Sequence, residues 1–142
     1  RPGEPDDAYV FADRAEFESR IAQGGFLEWT EFLGNLYGSP LPNVSDGVDI
    51  VLEIELHGAE QVKARHPEAI LVFVKPPSRD EQRRRLQGRG DPDEHVQERL
   101  RKAEEEEARG TAEADVVVVN DDLGRVVDEI EGIIGAARNA RR

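Results

Sequence analysis

The 142-residue sequence predicts an α/β protein in which a parallel sheet carries helices on both faces, with a small α+β unit ahead of it. Three observations predict it. Val48–Glu55, Ala69–Val74 and Asp115–Val119 are apolar, strand-like stretches separated by helical ones, the alternation that builds parallel sheets. Gly25–Pro40 alternates apolar and polar residues through Phe26, Glu28, Thr30 and Phe32, then turns at Gly34-Asn35, as a half-buried hairpin does. Hydrophobic residues make up 37% and charged residues 35%, enough apolar content for one core, with no apolar run able to span a bilayer.

Taken in order, Arg1–Asp7 is rich in Pro, Gly and Asp and reads as a loop, and Tyr9-Val10-Phe11 as a short strand. Asp13 with Glu16 three residues on has the form of a capping box for a helix over Arg14–Gln23, which carries Phe17 and Ile21 on one face. Gly24-Gly25 ends that helix. The hairpin follows, its second strand running over Leu36–Ser39 and closed by Pro40. Pro40–Gly47 is a breaker-rich linker. After it come the strand Val48–Glu55, a short helix Gly58–Arg65 stopped before Pro67, and the strand Ala69–Val74. Helices are predicted over Arg79–Gln87 and, heavily charged, over Asp93–Ala108; the strand Asp115–Val119 and an amphipathic helix Leu123–Ala137 complete the chain. Three core strands make a thin sheet for so many helices.

A formal charge of −12 argues against non-specific nucleic-acid binding, which depends on neutralising phosphates, although a local arginine cluster can still hold one phosphate. The absence of cysteine excludes disulfide and thiolate chemistry and fits a cytoplasmic protein. His57, His66 and His95 are too scattered for a zinc site, and the sequence assigns no metal ligand. The chain shows no signal peptide and begins at Arg1 without Met, so it is expected to be a piece of a longer protein.

On the hairpin, Glu28, Tyr37 and Ser39 offer one acceptor and two small donors, a good inventory for reading the edge of a planar polar ligand. Residue by residue, plainer readings stand beside it: Glu28 as an outward strand residue, Ser39 as a turn residue before Pro40, Tyr9 and Tyr37 as core packing. Glu53 and Glu55 project from one face at a strand's C-terminal end, where open α/β sheets bind ligands, or form a solvated strand end. Arg83, Arg84, Arg85, Arg89 and Arg99 are the dense basic feature of an acidic chain, by default a solvent-exposed helix face. The small residues around Arg89 in Gly88-Arg89-Gly90 also suit a hinge. Asn120 reads as a strand-end cap.

Leu27-Glu28-Trp29 followed by Gly34-Asn35-Leu36-Tyr37-Gly38-Ser39 resembles the guanine-reading segment of guanylate kinases. Arg1-Pro2-Gly3-Glu4 ahead of Tyr9, then Leu52-Glu53-Ile54, Pro76-Pro77-Ser78, Gly88-Arg89-Gly90 and Val119-Asn120-Asp121-Asp122, occur in that family's order, so the resemblance covers essentially the whole chain. It departs at Glu55, where aspartate is usual, at His57, usually glutamine, and at the short Pro40–Gly47 linker. The intervals from Glu4 to Tyr9 and from Arg89 to Arg99 are each shorter than the common pattern.

The resemblance implies a P-loop nucleoside-monophosphate-kinase fold, with residues 1–47 as a GMP-binding subdomain, 48–78 with 110–142 as the core, and 79–109 as a helical lid. It implies transfer of the γ-phosphoryl group of ATP to GMP, giving GDP and ADP with Mg²⁺, by positioning and charge screening. In that reading Glu28 accepts from guanine N1–H and N2–H, and Ser39 donates to guanine O6. Arg1, Tyr9 and Tyr37 grip the GMP phosphate, and Glu55 also contacts the guanine. Arg89 and Arg99 close over the transferring group, while Asn120 meets the adenine of ATP. No G-x-x-x-x-G-K-[ST] stretch occurs in the 142 residues, so the resemblance implies that the central strand and phosphate loop lie upstream and that this piece alone does not catalyse. Two other roles fit: a non-catalytic scaffold domain of this type that holds a phosphorylated peptide, and a sensor that binds GMP without turnover.

Overall fold

A computed structural model of the chain describes residues 9–32, 34–43, 47–90 and 92–140; Arg1 and the expected loop Arg1–Asp7 lie outside them. The chain forms two compact units, one ending at Glu68 and the other beginning at Ala69. Among the described residues, no helix is long and apolar enough to cross a membrane.

In the first unit, helix α1 (Arg14–Ala22) starts as its sequence requires. The Asp13 carboxylate accepts the Glu16 N–H at 2.8 Å and the Glu16 carboxylate accepts the Asp13 N–H at 3.2 Å, satisfying two orphan donors reciprocally. Gly24, at φ +68°, takes the left-handed turn that ends it. Tyr9–Phe11, expected as a strand, is irregular chain with Val10 and Phe11 93% and 88% exposed. β-Propensity alone does not make a strand; these residues pair with no described strand.

Strands β1 (Phe26–Phe32) and β2 (Asn35–Pro40) form the expected antiparallel hairpin, with Gly34 at φ +77° in its turn. Simple alternation through Phe26 and Glu28 would send both to one face. Instead Phe26 faces Pro40 and Glu28 faces Ser39, so Leu27 is an extra residue and the strand bulges there. The bulge separates the two side chains. Phe26 turns toward α1, where it stacks on Phe17 at 4.5 Å, beneath the Arg20 guanidinium and against the bare Cα of Gly38. Glu28 turns to the opposite face, toward helix α2 (Leu56–Arg65). Val48–Glu55, expected as a strand, pairs with no described strand and leaves Val48, Ile50 and Val51 exposed. A strand exists only where another backbone takes its N–H and C=O groups.

The second unit holds the parallel pairing that the alternation predicts: β3 (Val72–Lys75) beside β4 (Val116–Val119), with Val72 opposite Val116 and Lys75 opposite Val119. Helix α3 (Arg79–Gly88) begins at Ser78, whose hydroxyl accepts the Glu81 N–H at 3.1 Å. Helix α4 (Asp93–Glu113) runs a turn further than expected and packs on α3 through Leu86, Val96 and Leu100. Helix α5 (Leu123–Ala140) buries Val126.

Gly110 is where α4 meets β3: a Cβ there would stand 2.2 Å from Cε2 of Phe73. Gly110→Ala gains about 1 kcal/mol of helix propensity but forces an aromatic ring and a helix apart, an overpacking cost of ~1–3 kcal/mol. A net loss of stability is expected, read as a lower urea midpoint at unchanged slope. An unchanged or higher midpoint would show that the ring swings aside freely.

Candidate functional site

Residues directly opposite in an antiparallel pair share a face, and so do residues two apart along a strand. The pairs Glu28–Ser39 and Thr30–Tyr37 therefore set Glu28, Thr30, Tyr37 and Ser39 on one face of the hairpin. Glu28 is 3% exposed, a carboxylate withdrawn from water, and such burial is costly without hydrogen bonds. Its Oε1 accepts the Ser39 N–H at 2.9 Å. Its Oε2 faces Gly58, the third residue of α2, at the positive end of the helix dipole, which favours negative charge. A Cβ on Gly58 would lie 2.5 Å from that oxygen.

Tyr9 and Tyr37 lie together: their rings meet edge to face at 6.4 Å and remain 54% and 41% exposed. They are neither core residues nor isolated ones. Glu55 stands at the N-cap of α2 yet makes no capping bond, and its Oε1 is buried without a hydrogen-bond partner. An acceptor held this way has lost water and gained nothing, so a donor supplied by a ligand would stabilise it. Gly58 is three residues on, roughly 4.5 Å along the axis at 1.5 Å per residue, so Glu55 is at the end of α2 that meets Glu28. Glu53 is exposed, and His57 sits on the surface with Nδ1 3.6 Å from Glu60.

Arg89, Arg99 and Asn120 belong to the second unit. Arg89 is exposed at the C-cap of α3, its N–H bonded to Leu86 O at 3.2 Å, and Gly90 after it takes φ +80°. Arg99 is exposed on α4, next to the packed Leu100. Asn120 follows β4, with its N–H on Lys75 O at 2.8 Å and its carbonyl accepting Arg85 Nη2 at 3.0 Å. Arg85 also hydrogen-bonds Glu81 at 2.9 Å, which holds the Glu81 carboxyl below its ordinary range; Arg84 pairs with the same carboxylate. Arg85 thus ties α3 to the end of β4. Among the described residues, no group of three or more His, Asp or Glu stands ready to hold a metal ion.

Three residues of α2 that sequence reasoning did not single out hold the hairpin from outside. Gly58 makes room for the Glu28 carboxylate. Gln61 bonds both backbone groups of Trp29, its Nε2 donating to the carbonyl at 2.6 Å and its Oε1 accepting the N–H at 3.3 Å. Arg65 Nη1 donates to Phe26 O at 3.1 Å and Leu27 O at 3.2 Å. Their spacing of i, i+3 and i+7 puts all three on one helix face, and a glycine inside a helix costs about 1 kcal/mol against alanine, a signal that something approaches closely.

The guanylate kinase family model matches residues 1–137. The guanylate kinase of Rubrobacter xylanophilus is 46% identical over 136 residues, covering 92% of this chain and 71% of that protein. That of Synechococcus sp. (strain CC9311) is 45% identical over 137 residues, covering 92% and 72%. Among solved structures, the crystal structure of guanylate kinase from Anaplasma phagocytophilum superposes with a TM-score of 0.77 at 33% identity, covering 97% of this chain and 70% of that one.

Proposed function

The chain belongs to the guanylate kinase family, and we propose that its hairpin face holds GMP as the acceptor of the ATP γ-phosphoryl group. The observation that carries the reading is the Glu28 carboxylate, buried, oriented by the Ser39 N–H and sharing its face with Ser39 and Tyr37. Guanine presents N1–H and N2–H side by side, and a carboxylate with lone pairs to spare accepts both. Adenine offers a lone pair at N1 and a C2–H, so it leaves the same carboxylate unsatisfied. The Ser39 hydroxyl would donate to guanine O6. The unpartnered Oε1 of Glu55 supports a role for that residue as a second acceptor for the nucleotide, one methylene further out than the usual aspartate.

The adjoining rings of Tyr9 and Tyr37 support the joint use of their hydroxyls on the GMP phosphate, with Arg1 as the charged partner. Arg89 and Arg99 would supply positive charge where negative charge moves between oxygens. Asn120 would meet the adenine of ATP. No protein nucleophile is needed: a GMP phosphate oxygen bonds to the γ-phosphorus as the bond to the departing ADP oxygen breaks. Mg²⁺ would enter on the ATP phosphates. A cytoplasmic location belongs to the same proposal.

Calorimetric titration of the chain with GMP and with AMP tests the reading. GMP is expected to bind at least about 100-fold more tightly, the roughly 3 kcal/mol that leaving a buried carboxylate unsatisfied costs. Equal affinities, or binding of neither, would overturn it.

A further inference from the structure

We infer that Gln61 is a positioning residue for Glu28: it never touches the nucleotide, yet it sets how well the hairpin tells guanine from its analogues. The inference rests on the GMP reading of that face. Glu28 sits next to a bulge, where the ladder with β2 is disrupted and the strand's own pairing fixes direction least. Bonds from α2 flank it on both sides. Arg65 holds the carbonyls of Phe26 and Leu27, and Gln61 holds both the N–H and the C=O of Trp29.

A carboxamide carries a donor and an acceptor in one plane, so Gln61 gives Trp29 the two bonds that an opposing residue of an antiparallel strand would give. One peptide link separates that fixed point from Glu28 Cα. Release of Trp29 therefore passes directly into the aim of the carboxylate. Recognition of two adjacent N–H groups tolerates misplacements of only about 0.5 Å, and a shift of about 1 Å can cost two orders of magnitude. The Oε1 bond to Ser39 holds the tip of the side chain; Gln61 holds its root.

The test compares GMP with IMP, which lacks the exocyclic amine. The chain and its Gln61→Met variant, which keeps the side-chain length and loses both bonds, are titrated with each nucleotide. In the variant, GMP is expected to weaken about tenfold, the loss of two polar contacts to a partly buried strand, while IMP, which brings only its N1–H to the carboxylate, weakens less. The GMP-to-IMP preference falls accordingly. A purely structural role for Gln61 predicts equal weakening of both nucleotides, and that result, or an unchanged preference, overturns the inference. Should Gln61→Met fail to fold, Gln61→Glu is read the same way. It keeps the acceptor for Trp29 N–H and loses the donor to Trp29 C=O, so a full wild-type preference counts against the clamp. A wild-type chain that binds GMP and IMP alike sinks the GMP reading itself. A discriminating wild type beside an equally discriminating variant sinks only the role of Gln61.

Discussion

Glu28→Gln is expected to remove the preference for guanine, weakening GMP by about 10²- to 10³-fold, roughly 3–4 kcal/mol. The buried carboxylate offers acceptors only, and guanine's N1–H and N2–H edge offers donors only. A carboxamide of the same size keeps one acceptor and turns an NH₂ group toward a second N–H. One charge-assisted bond is weakened and the other becomes a clash of donors, in a site where water cannot intervene. AMP should move the other way, because the new NH₂ can donate to adenine N1. The collapse of the GMP-to-AMP ratio from both ends is the signature to measure. Folding should not suffer: the amide oxygen still accepts the Ser39 N–H, and a neutral side chain costs less to bury than a charged one. A GMP affinity that survives the change, or a loss shared equally by AMP, would remove Glu28 from the guanine-reading role.

What the sequence disclosed about the fold divides by how local the signal is. The capping box of Asp13 and Glu16, the Ser78 cap and the Gly34 turn are decided within four residues, and α1, α3 and the hairpin begin where their sequences say. Tyr9–Phe11 and Val48–Glu55 read as strands but form none, because pairing is a property of two segments and composition reports only one. The bulge at Leu27 was invisible for the same reason. Period-2 alternation counts residues along one strand, whereas the extra residue is defined against β2. In the candidate site, Glu28, Tyr37 and Ser39 were legible because a short hairpin brings them together by itself. Gly58, Gln61 and Arg65 act from a helix roughly 30 to 40 residues away, and the orphaned oxygen of Glu55 is a fact about burial that no spacing encodes.

Gly58→Ala should separate binding from stability. A Cβ at that position would lie 2.5 Å from Glu28 Oε2, 3.1 Å from Cδ and 3.3 Å from Cγ, so the two side chains cannot share the space. The backbone of α2 is held by its hydrogen bonds, while the carboxylate is the far end of a flexible side chain, so the carboxylate gives way. Alanine also gains up to about 1 kcal/mol over glycine in a helix, which offsets the crowding in the folding balance. The urea midpoint is therefore expected to stay near the wild-type value. GMP affinity should fall about 10- to 100-fold, since the acceptor pair has been turned from its place. Combining the change with Glu28→Gln isolates the cause. If Gly58 matters only because it seats the carboxylate, the double variant binds GMP little worse than Glu28→Gln alone, because both changes act on one group. Fully additive losses would mean that the Gly58 position affects the nucleotide by a route that does not pass through Glu28.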